Sequence, residues 1–379
     1  MDNATHTLVG LTLARTPLGR AGRGTTAALV IASNAPDIDI VAAARGGISY
    51  LAWHRGPTHG PLGIVGLGVV AAGLVWIWLR TLDRRMPEKA DARAAESEEV
   101  ASLGMLVVAS IIGVLVHVLM DFPTSYGTRL LSPFDWHWFA VDWMPIVDIY
   151  LLSALAAGLW FGRGSAASKR RNAAIVFGLM AAYYGVRGVA HHEALASVPR
   201  VFGPRLPQRC DPQAPTSRLV DSWPRAGLPP PLDPSGNRCL VEIAALPTFL
   251  SPFRWRVIAQ LSNAYEIHDI DLLEERFRES DSDSEAMRRQ TLRFPNQSSP
   301  PIARATTTRL GRVFLDFSRF PAARWVVDDK TRIATVRWTD MRFAGGVLTL
   351  EQPVRRPDPF TAVVRIDPEG RILDERLGR

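Results

Sequence analysis

Two histidines stand five residues apart around a Gly-Pro step in HRGPTHGPLG (residues 54–63), directly before an uncharged apolar run. Gly56-Pro57 cannot continue a helix, so His54 and His59 can be aimed inward from a bent segment instead of stacking on one helical face. A second pair, His117 and Asp121 in HVLMD, is spaced i, i+4 at the end of another apolar run. That spacing puts an imidazole and a carboxylate on one helical face, a common two-ligand contribution to a metal site, although the pair could instead satisfy each other at a helix end. A third motif, NAPDID, carries Asp37 and Asp39 just after Pro36. There the proline ends the preceding helix and leaves two carboxylates in an extended turn suited to a hard cation or a bridged zinc. Alone, NAPDID reads as a solvent-exposed turn, and His6, in the first turn of the N-terminal segment, is weak by itself. Together these side chains form a mixed imidazole and carboxylate set without thiolate. Such a set favours zinc, with manganese or iron as rivals, and its chemistry is activation of water by a divalent metal.

The elements that must position these residues are apolar. Of the chain's 379 residues, nearly all the long hydrophobic runs precede residue 190. Four qualify as membrane spans: 61–79, 101–120, 146–162 and 173–190. The apolar stretches at 8–14 and 27–35 are too short to span and read as a re-entrant hairpin packed by protein. The N-terminus has no signal-peptide pattern and reads as mature sequence. The net charge of +7 raises the possibility of nucleic-acid binding. Near the membrane, however, the basic residues gather in short loops at Arg15–Arg23, Arg80–Arg93 and Arg163–Arg171, which positive-inside topology explains more simply. With those loops cytoplasmic, everything after 190 is extracytoplasmic. His6, Asp37, Asp39, His54, His59, His117 and Asp121 then all fall at the outer face. Since Lys and Arg alone set this topology, the convergence is an independent check on the ligand set.

Residues 191–238 are proline-rich and read as an extended connector. Beyond Cys239, alternating segments such as RVFLDF, TRIATVRW, GVLTLE and TAVVRI, separated by turn residues, read as strands. Residues 268–290 are charge-rich and fit a loop or a surface helix. Cys210 and Cys239 could pair in an oxidising compartment or remain free thiols. The expected fold is mainly α: a polytopic transmembrane helical bundle (1–190), the connector (191–238) and a strand-rich α+β soluble domain (239–379).

THTLVG, NAPDID, HRGPTH, HVLMDFPTSYGTRLLSPF and DWMPIVDIY, in that order over about residues 1–160, resemble the successive motifs of a bacterial inner-membrane family. It is described as metal-dependent hydrolases, or as LexA-binding, inner-membrane-associated hydrolases. LPTFLSPFRWRV and DMRF resemble the appended domain of some members. In motif style the family is similar to zinc-dependent phospholipases C. The resemblance implies a metal set of His6, Asp37, His54, His59, His117 and Asp121, with Asp39 as a further carboxylate. One departure stands out: Gly60 occupies the position where the family pattern has a serine, removing a hydroxyl near the site but no ligand.

Other candidates follow from placement. Tyr126 and Arg129 in SYGTR lie just past the His117–Asp121 helix, where they could hold a phosphate or carboxylate of the substrate, or anchor the interface. FDWHWFAVDW reads as an interfacial aromatic belt. Asp148 and Arg187 could pair within the bundle, and His191 and His192 read as surface residues. No G-x-S-x-G signal supports serine catalysis. The expected function is a multi-pass membrane hydrolase whose metal-activated water attacks a phosphoester, or an acyl bond, of a lipid-like substrate at the outer face, with Asp39 or Asp121 as general base. Its partners would be membrane lipids and a protein bound by the C-terminal domain, with no nucleic acid. The alternative is a non-catalytic scaffold with a structural metal site.

Overall fold

Pro61 opens the charge-free run at a position where its missing N–H costs nothing. In the computed structural model the run forms a 25-residue helix, Pro61–Arg85. The described residues are 1–88, 99–203, 206–225, 238–277, 292–344 and 360–378. The helices are α1 (Asn3–Leu13), α2 (Thr25–Ala32), α3 (Gly47–Trp53), α4 (Pro61–Arg85), α5 (Leu103–Asp121), α6 (Ile149–Phe161), α7 (Ala166–Phe202), α8 (Leu272–Phe277), α9 (Pro300–Thr306) and α10 (Arg309–Phe317). The strands are β1 (Trp138–Ala140), β2 (Asp221–Trp223), β3 (Leu240–Pro247), β4 (Arg254–Leu261), β5 (Ala264–Asp271), β6 (Leu292–Pro295), β7 (Pro321–Val327), β8 (Ala334–Asp340), β9 (Thr361–Ile366) and β10 (Ile372–Leu377).

Two compact units divide the chain. The first is Met1–Val41, Trp53–Ala140 and Met144–Val186; the second is Ala42–Ala52, Val141–Trp143 and Arg187–Arg379. In the first unit α1 and α2 form the short hairpin, and α4 packs along α5. Small residues let these helices approach: a Cβ on Gly68 would meet the Ile111 Cα at 2.9 Å. The outward face of α4 is apolar, with Leu62, Val65, Val69, Val70, Leu74 and Ile77 all exposed. Such a surface on a long helix needs lipid as its solvent. Among the described residues three helices, α4, α5 and α7, are long and apolar enough to cross a membrane, or four spans if α2 and the bent stretch Ala35–Arg45 count as one. The expected span 146–162 is instead α6, whose 13 residues reach about 20 Å at 1.5 Å per residue, against a hydrocarbon layer of about 30 Å. Asp148 shortens it by capping: its Oδ1 accepts from the backbone N–H groups of Tyr150 and Leu151. Asp148 Oδ2 accepts from the Tyr183 hydroxyl at 2.8 Å, whereas Arg187, its expected partner, donates to the Trp143 carbonyl at 2.9 Å.

The second unit corrects several expectations. Residues 191–202 continue α7 rather than starting an extended connector. Their stripe Ala190, Ala194, Val198 and Phe202, at helical spacing, packs on Trp255, Val257 and Ala259 of β4. His191 is buried beside the Trp255 ring rather than at the surface; His192 is exposed. RVFLDF is helical, not a strand: Thr308 caps the Gly311 N–H, and Leu310, Phe314 and Phe317 recur on one buried face of α10. TRIATVRW and TAVVRI do supply β8 and β9. Two four-stranded antiparallel sheets result, β3-β4-β5-β6 and β10-β9-β8-β7. GVLTLE, the proline-rich 226–237 and most of the charge-rich stretch (278–291) lie outside the described residues. The chain is therefore mixed helix and sheet rather than mainly α.

Cys210 and Cys239 are disulfide-bonded across a sequence separation of 29. Closing a loop of that length stabilises the unit by about 3–4 kcal/mol in the chain-entropy model. Reduction should therefore lower the denaturant midpoint of the C-terminal unit, and an unshifted midpoint would show the crosslink to be thermodynamically silent.

Candidate metal centre

Four ligand-bearing side chains from three separate segments converge in the first unit. One ligand atom from each of Asp37, His59, His117 and Asp121 lies within 4.8 Å of the other three. His59, His117 and Asp121 are fully buried, and Asp37 is partly so. Asp121 Oδ2 lies 3.4 Å from His59 Nε2 and 3.5 Å from His117 Nε2, the latter across one helical turn of α5 as the i, i+4 spacing requires. Asp37 Oδ1 approaches His117 Nε2 at 3.6 Å. Asp37 comes not from an extended turn but from a 3-10 helical stretch, Ala35–Arg45, bent by 44° from α2. The bend at Ser33–Asn34 is what turns its carboxylate toward α5.

The surrounding contacts fix how these ligands point. His117 Nδ1 sits 2.8 Å from the Ser33 carbonyl. A carbonyl can only accept, so Nδ1 carries the proton and the lone pair of Nε2 faces the cluster. His59 Nδ1 is 3.0 Å from the Thr58 hydroxyl, leaving its Nε2 3.3 Å from that of His117. Burial first, then His117 and Arg55, hold His59 well below the ordinary imidazole range, so it is neutral near pH 7, the form that binds metal.

The remaining expected residues surround this core. His6 stacks on His117 with ring centroids 3.7 Å apart, and its Nε2 lies 3.3 Å from Asp121 Oδ1. His54 is not among the four; its Nδ1 meets Asp39 Oδ1 at 3.0 Å. Asp39 Oδ2 accepts from the Arg55 N–H at 2.7 Å and lies 3.7 Å from His59 Nδ1, so this carboxylate clasps the HRGPTH turn. Tyr126 packs edge-on against His54, and Arg129 is buried over the Trp138 ring at 4.3 Å.

Sequence reasoning missed Arg55. Its guanidinium donates to the Thr124 hydroxyl and the Gly127 carbonyl, reaches Asp121 Oδ2 at 3.1 Å and lies over Tyr126. Its backbone is left-handed (φ 49°), an unusual conformation for a long side chain and one that concentrates at functional sites. The available signal was a third ionisable residue inside HRGPTH at a lipid boundary.

A divalent ion fits this donor set. Asp37 Oδ2 and both nitrogens of His6 are buried without a hydrogen bond, and the Asp121 carboxylate is met by ion pairs, from the Met1 ammonium at Oδ1 and from Arg55 at Oδ2. The two Nε2 atoms stand 3.3 Å apart, and the lone pair of His117 Nε2 faces the carboxylates of Asp37 and Asp121, a place where a cation would be held. Gly60 is also accounted for: a Cβ there would lie 1.8 Å from the Ser132 carbonyl oxygen. Gly60→Ser should therefore displace the loop at Ser132, costing about 1–3 kcal/mol. A lower melting temperature with reduced metal retention is expected, and a wild-type melting temperature would show that Ser132 yields freely.

The family model described as YdjM inner membrane protein matches residues 1–194, a little over half the chain and all of the cluster. The chain belongs to the YdjM inner membrane protein family. Within that matched region lie α4, α5 and most of α7, in keeping with membrane residence. The uncharacterized protein YfhP of Bacillus subtilis (strain 168) is 26% identical over 175 residues, 44% of this chain and 48% of that protein. The chain thus spans about half the length of the curated relative it matches. No solved structure gives a significant match.

Proposed function

We propose that this protein is a membrane hydrolase in which Asp37, His59, His117 and Asp121 hold a divalent metal, zinc by the chemistry of its donors, with manganese or iron as rivals. The observation that supports this reading is the convergence of His59 Nε2, His117 Nε2 and two carboxylates in a buried pocket, with the lone pair of His117 Nε2 set by the Ser33 carbonyl. A metal at such a site lowers the pKa of water and polarises a phosphoryl or acyl oxygen. The chain's residues do the rest. Asp39 accepts the Nδ1 proton of His54, which leaves Nε2 as the nitrogen able to take a proton from water; Asp39 thus acts through His54 rather than as the base itself. Arg55 stabilises negative charge on Asp121 and on a substrate oxygen reaching it, and Tyr126, under the Arg55 guanidinium, and Arg129 are assigned to substrate contact. The substrate class is a lipid-like phosphoester, with an acyl ester second, because apolar helix faces surround the site.

The positive-inside rule and the Cys210–Cys239 bond, which needs an oxidising compartment, support placing the C-terminal unit outside the cytoplasm. Reporter fusions after residue 203 should report an extracytoplasmic location. The activity test uses the full-length protein in proteoliposomes of phosphatidylglycerol and phosphatidylethanolamine. Cleavage that a chelator stops and zinc restores supports the reading. Bound metal with intact lipids would make the cluster structural and the protein a scaffold.

A further inference from the structure

A second polar site lies in the first unit, and none of its lining residues is a candidate metal residue. A cavity of about 390 Å³ opens between the α1–α2 hairpin and the start of α7, lined by Arg15, Arg20, Lys169 and Arg170 together with the apolar Leu11 and Leu159. The four cations come from segments about 150 residues apart, and neither 3–36 nor 149–192 contains an Asp or Glu. Among the described residues none of the four pairs with a carboxylate. Arg15 is held in place by donating to the Gly158 and Gly162 carbonyls at the end of α6, both at 3.3 Å. Ala166, the first residue of α7, also lines the cavity, so the positive end of a 37-residue helix dipole is close by. Positive-inside topology by itself requires basic loops, but not that they converge around one cavity with apolar residues in its lining.

We propose that this cavity binds a phosphate group, free or carried by a lipid. Convergent Arg and Lys side chains suit a phosphoryl anion, through forked and point-charge contacts respectively. The leucines of the lining suit the glycerol or acyl portion of a lipid whose phosphate the basic residues hold.

The test uses full-length protein in detergent, titrated with phosphatidylglycerol in mixed micelles, with phosphatidylcholine as the comparison, and separately with inorganic phosphate at fixed ionic strength. Binding is read from thermal shift and from ligand retained in native mass spectrometry. Wild type should bind phosphatidylglycerol more tightly than phosphatidylcholine, or bind inorganic phosphate; either supports the proposal, and the comparison gives the source of the phosphate. Lys169→Glu with Arg170→Glu should weaken that binding by roughly tenfold or more, as expected for lost charge-assisted contacts. Arg84→Glu with Arg85→Glu, the same charge change at the end of α4 outside the cavity, should leave binding intact. Unchanged metal content would show that the cavity variant is folded. No binding by wild type, unchanged binding in the cavity variant, or equal loss in both double variants overturns the proposal.

Discussion

His117→Ala will lower metal affinity by more than about a hundredfold, since it removes a ligand outright where loss of an outer contact alone costs 10–100-fold. It also removes the ring on which His6 stacks and the Nε2 that faces Asp37, His59 and Asp121. Elemental analysis of purified wild type should find metal, the variant almost none, and turnover should vanish with it. Asp39→Asn is the informative companion. It leaves the four ligands in place but loosens His54 and the Arg55 turn, so the protein should keep its metal while turnover falls. Equal metal in wild type and His117→Ala would mean that the cluster is a polar packing network and the hydrolase reading is wrong.

The largest effect on stability belongs to the second unit. Arg319, buried, donates to Asp142 at 2.6 Å, to Asp221 at 2.5 Å and to Glu242 at 2.9 Å. Burial opposes its charge, but those three carboxylates outweigh burial and raise its pKa above the ordinary arginine value. Arg319→Met leaves three buried carboxylates, with Arg225 still bonded to Asp221 and Glu242. A loss of about 3–5 kcal/mol is expected for breaking a buried ion-pair network from one side. The defect should also depend on pH. Burial already raises the Asp221 pKa, against the pull of Arg319, and without Arg319 it rises further. A carboxyl group whose folded pKa is raised binds protons in the folded state, so stability is lost as pH rises through that value. The variant should accordingly be less impaired at pH 5 than at pH 8. A pH-independent loss would attribute the defect to packing instead of charge.

Much of the candidate centre is legible in the sequence because its geometry is local. The i, i+4 spacing puts His117 and Asp121 on one face, and Gly56-Pro57 forces the turn that brings His59 inward. The structure brings the same residues together through contacts the sequence does not display, such as His6 stacked on His117 and Asp39 against His54. What spacing does not reveal is which residues touch the cluster and which stand behind it. His54 and His59 look equivalent in HRGPTH, and only the tertiary position of Asp39 separates them. Arg55 was missed because a basic residue beside a span reads as topology. In the C-terminal half, RVFLDF carries strand-like residues, yet the Thr308 cap and the spacing of Leu310, Phe314 and Phe317 fold it as α10. The stripe ending at Phe202 likewise overrides the proline-rich composition around it.

The oxygen that fixes the His117 tautomer belongs to the main chain of residue 33, not to its side chain. No point substitution at that position deletes it, so the protonation pattern of the centre is insulated from mutation there. Displacement is what it is sensitive to: any force that slides the end of α2 along α5 moves this acceptor. Such a shift would alter how His117 is presented to an ion.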